Sequence, residues 1–230
     1  MKQLLNDPRI KDYPAFYTFC KLKDQGFRKQ ALAALTPFID TMKNRDFEQR
    51  QEFVAWLFTH SERTLQNDVS DVFVHPLVTN ILEPTLVEWA ERSVEDPRPY
   101  RWLGLYAFED FWHERLERAI KLGGLAEQRA IEALMNHKIA TLEFSFHHFN
   151  ENFYLGEVDQ DCATIIEART LMQYVLDESK RADYETELNY LSELLADWIT
   201  YTESDDKSFP EWCKRNERNY EFTESYYYEE

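Results

Sequence analysis

Glycine is close to missing from this chain, 5 residues in 230, proline is sparse at 8, and runs of β-branched residues are scarce. Many short strands joined by tight turns need those residues, so a sandwich or barrel is excluded and helices are expected. Cysteine is scarce too. Cys20, Cys162 and Cys213 are odd in number, far apart and without a CxxC pair, which argues against a disulfide frame or a cysteine zinc cluster and for reduced thiols. No run of about 18 uncharged apolar residues occurs, and "MKQLLNDPRIKDYPAF" has no long apolar segment, so neither a signal peptide nor a membrane span is expected, and the expected address is cytoplasmic. Also missing are GxSxG, a Walker loop, GxGxxG and HExxH. No catalytic residue, metal site or cofactor is therefore assigned.

Apolar residues are plentiful at 43%, with 15% aromatic, so the chain folds. Leu, Glu, Ala, Arg and Gln recur at helical spacing. The reading is all-α: an irregular stack of αα-hairpins, a tetratricopeptide- or HEAT-like array, forming one domain over residues 1–218 with a right-handed continuous stack, then an acidic, tyrosine-rich tail over 219–230. That tail, "NYEFTESYYYEE", suits either a frayed end or an arm that orders on a partner.

"DYPAFYTFCKLKDQG" starts with a first-turn proline and stops at Gly26; the next helix, from Phe27, meets Pro37, where a kink or restart is expected. Asp46 is placed to cap "FEQRQEFVAWLFTHSER", whose apolar face runs through Phe47, Val54, Leu57 and Phe58. Pro76 and Pro84 should cut the following stretch into short helical pieces. Three later stripes are regular: Ile131, Met135, Ile139, Leu142, Phe146 and Phe149; Ile165, Ala168, Met172 and Val175; Tyr184, Leu188, Leu191, Leu195 and Trp198, each with a polar back. A short last helix should begin at Phe209 or Pro210, with Cys20 and Cys162 packed on their helices.

The net charge of -17 is uneven: residues 1–122 hold 17 basic and 19 acidic side chains, residues 151–206 only 3 basic and 15 acidic. Such a surface repels nucleic acid and anionic lipid and attracts basic proteins; simple solubility would account for it as well. The candidate partner contacts are Glu151, Glu157, Asp159, Asp161, Asp177, Glu178, Asp183, Glu187, Asp205 and Asp206.

Histidines sit at the entrance to this region. In "SFHHFNENFYLGEVDQDC", Glu143, His147 and Glu151 would share one line if the helix ran on, a ligand set for a metal-dependent helical hydrolase. The "NEN" and "LGE" that follow argue instead for a helix ending at the histidines, with Asp159 or Asp161 capping the next and Gly156 allowing the turn. Glu109, His113 and Glu117 line another helix and read as a solvated face. "ESDDK" at 203–207 resembles acidic nuclease clusters in composition only and reads as a loop.

Two resemblances bear on function. Tyr100, Leu103 and Gly104, with "RAIKL" at 118–122, are similar to the opening and close of a tetratricopeptide unit; Gly104 to Ala119 is four residues too short, and no second copy follows. This implies a helical array and, as one possibility, an adaptor taking a peptide near Tyr100, Tyr106 and Trp112. The C-terminal half, from "DPRPYRWLG" through "YLGEVDQD" to "DWITYTESDDKSFPEWCK", resembles bacterial all-helical proteins of unassigned function, some of them immunity proteins of polymorphic or contact-dependent toxins. That resemblance implies a non-enzymatic inhibitor of a basic, nuclease-type toxin domain and brings no active-site residues.

Overall fold

The structure, a computed structural model, describes residues 1–63, 72–106 and 111–220. The regular structure of those residues is all helical, with no strand among them, and the chain separates into two compact units, Met1–Leu122 and Gly123–Glu230. Within the described residues no helix is long and apolar enough to cross a membrane.

In the first unit α1 (Lys2–Asn6) and a 3-10 turn (Pro8–Asp12) lead into α2 (Pro14–Asp24), α3 (Arg28–Lys43) and α4 (Phe47–Arg63). Gly26, at φ +83°, supplies the left-handed residue between α2 and α3. Asp46 caps α4 by accepting the Gln49 N–H at 2.8 Å. Of the kink or restart expected at Pro37, the restart does not occur, since α3 runs on through the proline. The buried face of Ala31, Leu35, Phe38, Ile39 and Met42 straddles the proline, and this packing outweighs the one backbone hydrogen bond that proline removes.

The pieces expected around Pro76 and Pro84 also join. A short α5 (His75–Leu77) passes through a π turn (Val78–Leu82) into α6 (Glu83–Arg92). At the turn the Glu83 N–H reaches back to the Val78 carbonyl, a wider ring that lets the helix continue into a proline. The last pair is α7 (Pro97–Leu105) and α8 (Trp112–Gly123). Gly104 is the point of close approach: a Cβ there would lie 2.6 Å from Leu116 Cγ and 2.8 Å from the Trp112 carbonyl oxygen. The residue facing it is Leu116; Ala119 packs instead with Ala90 and Tyr100.

Aromatic rings fill this core, and its tryptophans share one solution to their polar N–H. Trp56 donates to Asp7 at 3.1 Å, Trp89 to Asp96 at 3.2 Å and Trp102 to Glu62 at 2.7 Å.

The second unit contains α9 (Gln128–Phe146), α10 (Val158–Met172), α11 (Glu178–Thr202) and α12 (Phe209–Arg215). The three expected stripes point inward, with Ile139, Met172 and Tyr184 only half-buried. Phe149 stacks on Trp198 at 4.1 Å between ring centres, and Phe209 meets both edge-on. Gln128 ties the start of α9 to the α10–α11 connection, donating to the Tyr174 carbonyl at 3.0 Å and accepting the Leu176 N–H at 2.9 Å. Ser208 caps α12. The expected tail starts anchored: the Tyr220 hydroxyl donates to buried Asp197, which also pairs with Arg218 at 2.9 Å. Residues 221–230 of that tail, and Glu109 of the line with His113 and Glu117, lie outside the described residues.

Candidate functional site

The connection between α9 and α10 decides what the paired histidines do. Helix α9 stops at Phe146 and His147 is its C-cap, with Nδ1 at 2.6 Å from the Phe144 carbonyl oxygen. A 3-10 turn (Phe149–Glu151) and left-handed Asn152, at φ 58°, reverse the chain. The Asn152 side chain holds this bend by accepting the Phe209 N–H at 2.7 Å. Glu151 therefore does not continue the helical line of Glu143 and His147; it lies 3.3 Å from His148 Nδ1. Among the described residues no three His, Cys, Asp or Glu side chains come together as a metal-holding group.

Neither Asp159 nor Asp161 caps α10, whose N-cap is Glu157 without a side-chain bond. Asp161 turns inward instead. It is 2% exposed and accepts from the Tyr154 hydroxyl at 2.7 Å and Ser145 Oγ at 3.3 Å. Gly156 serves this cluster by its size, since a Cβ there would stand 2.7 Å from Ser145 Oγ and closer still to Asp161 Oδ2. Burial, then the bond to Asp161, pushes the Tyr154 phenol well above its usual range.

The ten candidate carboxylates thus divide. Asp161 is a correction: a buried carboxylate bonded inside the unit offers no surface contact. Asp206 is bonded to Arg215 and Ser204, Asp177 caps α11 by accepting the Ser179 and Lys180 N–H groups, Glu178 lies 3.9 Å from Arg181, and Glu151 faces His148. Glu157, Asp159, Asp183 and Asp205 are exposed, and among the described residues no ion pair reaches them. Glu187 is half-buried; burial, then the nearby Glu143 carboxylate, raises its pKa.

Two further carboxylates belong with them. Arg169 of α10 donates to Asn189 of α11 at 2.9 Å, and four-residue spacing puts Glu185 and Glu193 on the same edge of α11 as Asn189. Both are exposed.

Helix α10 has the expected polar back in Asp159, Gln160, Glu167 and Thr170, all exposed, but a second apolar line runs between that back and the buried stripe. Val158, Cys162 and Ile166, four residues apart, are exposed, Ile166 by 65%. The Cys162 thiol is open rather than packed, whereas burial pushes Cys20 up to about 12 and Cys213 up to about 11. This second line, adjoining the buried stripe, defeats a one-stripe reading of the helix.

The first unit offers less. Tyr100, the opening aromatic of the tetratricopeptide-like unit, is buried and donates to the Ala90 carbonyl at 3.0 Å; Tyr106, one of the two contacts of the adaptor reading, packs on Phe58 and Phe73 and bonds to Ser61, and Trp112, the other, is half-buried. In a polar concavity around Arg9, Trp56 and His60, Arg9 pairs with Glu52 at 2.9 Å and His60 Nδ1 lies 3.4 Å from Asp7.

Comparison with family models, curated proteins and solved structures returns no match. The residues of the site thus carry the functional reading.

Proposed function

We propose that this chain is a non-enzymatic, protein-binding inhibitor whose second unit takes a basic protein, in its most concrete form a cytoplasmic immunity protein that covers the nucleic-acid-binding face of a nuclease-type toxin. One observation carries the reading: Glu157, Asp159, Asp183, Glu185, Glu193 and Asp205 are exposed with no cation pairing them among the described residues. Uncompensated carboxylates held on helices and the turns beside them take the positions that phosphates would take on such a partner and speed its encounter at low salt. The same field disfavours nucleic acid and anionic membrane as partners. Glu187 and Glu143 add to it, because a lysine or arginine docking near them relieves their repulsion.

The test is kinetic. The partners tried are basic nuclease domains, with hydrolysis of a fluorogenic nucleic acid following their inhibition. Asp159→Asn, Asp183→Asn, Glu185→Gln and Glu193→Gln together should slow association by about tenfold or more at low salt and flatten its salt dependence. Unchanged association rates, or a partner that keeps full activity at saturation, would sink the proposal.

A further inference from the structure

Resting on that reading, we infer that the outer face of α10 is the seat of the contact and that it receives an amphipathic helix with basic flanks. The helix carries more apolar surface than its folding needs. Ile165 and Ala168 are buried in the unit, while Val158, Cys162 and Ile166 run beside that buried stripe, exposed, for about 12 Å, two turns of helix. Single exposed apolar residues are ordinary; a line of them at helical spacing on a solvated face marks an interaction surface.

Charge selects the occupant. Glu157 and Asp159 border the line at its N-terminal end, and the Glu185–Asn189–Glu193 edge of α11 borders it on the side where Arg169 reaches across. An apolar line between acidic borders matches a helix with an apolar stripe flanked by lysine or arginine. An extended peptide fits worse, because the unit's described residues offer no sheet edge to pair its backbone groups. A second copy of this chain would bring the same acidic borders face to face.

Cys162 lies in the middle of the line and is the exposed thiol of the three, so it reports occupancy by position. The probes are synthetic peptides of about 18 residues, roughly five helical turns. One is a leucine/lysine amphipath, one carries the same lysines with glutamine in place of leucine, and one is a leucine/glutamate amphipath. Binding is read by fluorescence anisotropy, and occupancy by the rate at which iodoacetamide alkylates Cys162. The leucine/lysine peptide should bind and slow alkylation about tenfold, Ile166→Asp should weaken it about tenfold, and Phe144→Asp, at an exposed apolar position away from the line, should not. The leucine/glutamate peptide should not bind.

Equal binding of the leucine/lysine and glutamine/lysine peptides overturns the assignment of the α10 face while leaving the acidic-surface reading standing. So does binding that leaves Cys162 alkylation unchanged. Failure of both lysine peptides overturns this inference, and the nuclease assay then judges the broader reading separately.

Discussion

The Tyr154 hydroxyl donates to Asp161 Oδ2 at 2.7 Å, across the turn that carries the chain from α9 into α10. Asp161 is therefore a structural acceptor, and the hydroxyl of Tyr154 satisfies a carboxylate that water does not reach. Tyr154→Phe should cost about 1.5–3 kcal/mol, the range for a hydrogen bond to a charged group that leaves its partner unsatisfied. Urea titration of the variant measures it, and a loss under half a kcal/mol would show that the bond contributes little.

Gly156 and Gly26 separate two reasons for glycine. At Gly156 a methyl group would meet the Ser145 hydroxyl at 2.7 Å and Asp161 closer still, so Gly156→Ala should lose about 1–3 kcal/mol by overpacking. At Gly26 a Cβ meets nothing within 4 Å, but φ is +83°. Gly26→Ala should cost only about 1 kcal/mol, and Gly26→Asn less, since asparagine tolerates the left-handed region. Denaturation midpoints of the three variants check the order.

The helices, their inward stripes and the break at the histidines were legible because each is a local pattern: a period of three or four, a proline in a first turn, a cluster of polar residues after the last apolar one. No restart follows Pro37 because a buried face on both sides of the ring holds the helix together, and Pro84 does not divide its segment because a π turn carries the helix into it. The acidic region was visible as a count, but which carboxylates are available was not. Asp161 and Asp206 are engaged by Tyr154 and Arg215, and only tertiary structure brings those partners in. The outward line of α10 was hidden by Ile165 and Ala168, which supply a sufficient stripe by themselves.

Thiol chemistry should count the exposed positions. Cys162 is open, while Cys20 and Cys213 are buried and pushed up to about 12 and about 11. The thiolate is the nucleophile, so the native protein should take up one equivalent of maleimide quickly and the unfolded protein three. Mass spectrometry of the native product should place the label on Cys162; rapid labelling of Cys20 would contradict the packing of the first unit.

At high pH the tyrosines set the limit. Burial first, and the Asp161 and Asp197 carboxylates next, raise Tyr154 and Tyr220 above the ordinary value of 10.0. A raised folded value means the contribution is complete below the unfolded value and is lost as pH rises beyond it. The unfolding midpoint of the second unit should stay level up to about pH 9.5 and fall above 10. In the double variant Tyr154→Phe, Tyr220→Phe that fall should be shallower.

Glu187 should follow the same sign in a lower pH window. Burial and the Glu143 carboxylate raise its value above the ordinary 4.5, so the charged form is disfavoured in the fold. Its contribution is most favourable below that value and declines as pH rises through the raised one. Glu187→Gln should then stabilise the protein at pH 7 by about 0.2–1 kcal/mol, allowing for solvent screening, and do nothing at pH 3, where both forms are neutral. The same substitution should weaken binding of a basic partner, because the repulsion it relieves in the free protein is the interaction a partner's lysine would relieve on docking. Stability and affinity moving in opposite directions on one carboxylate would mark a group kept for contact rather than for folding.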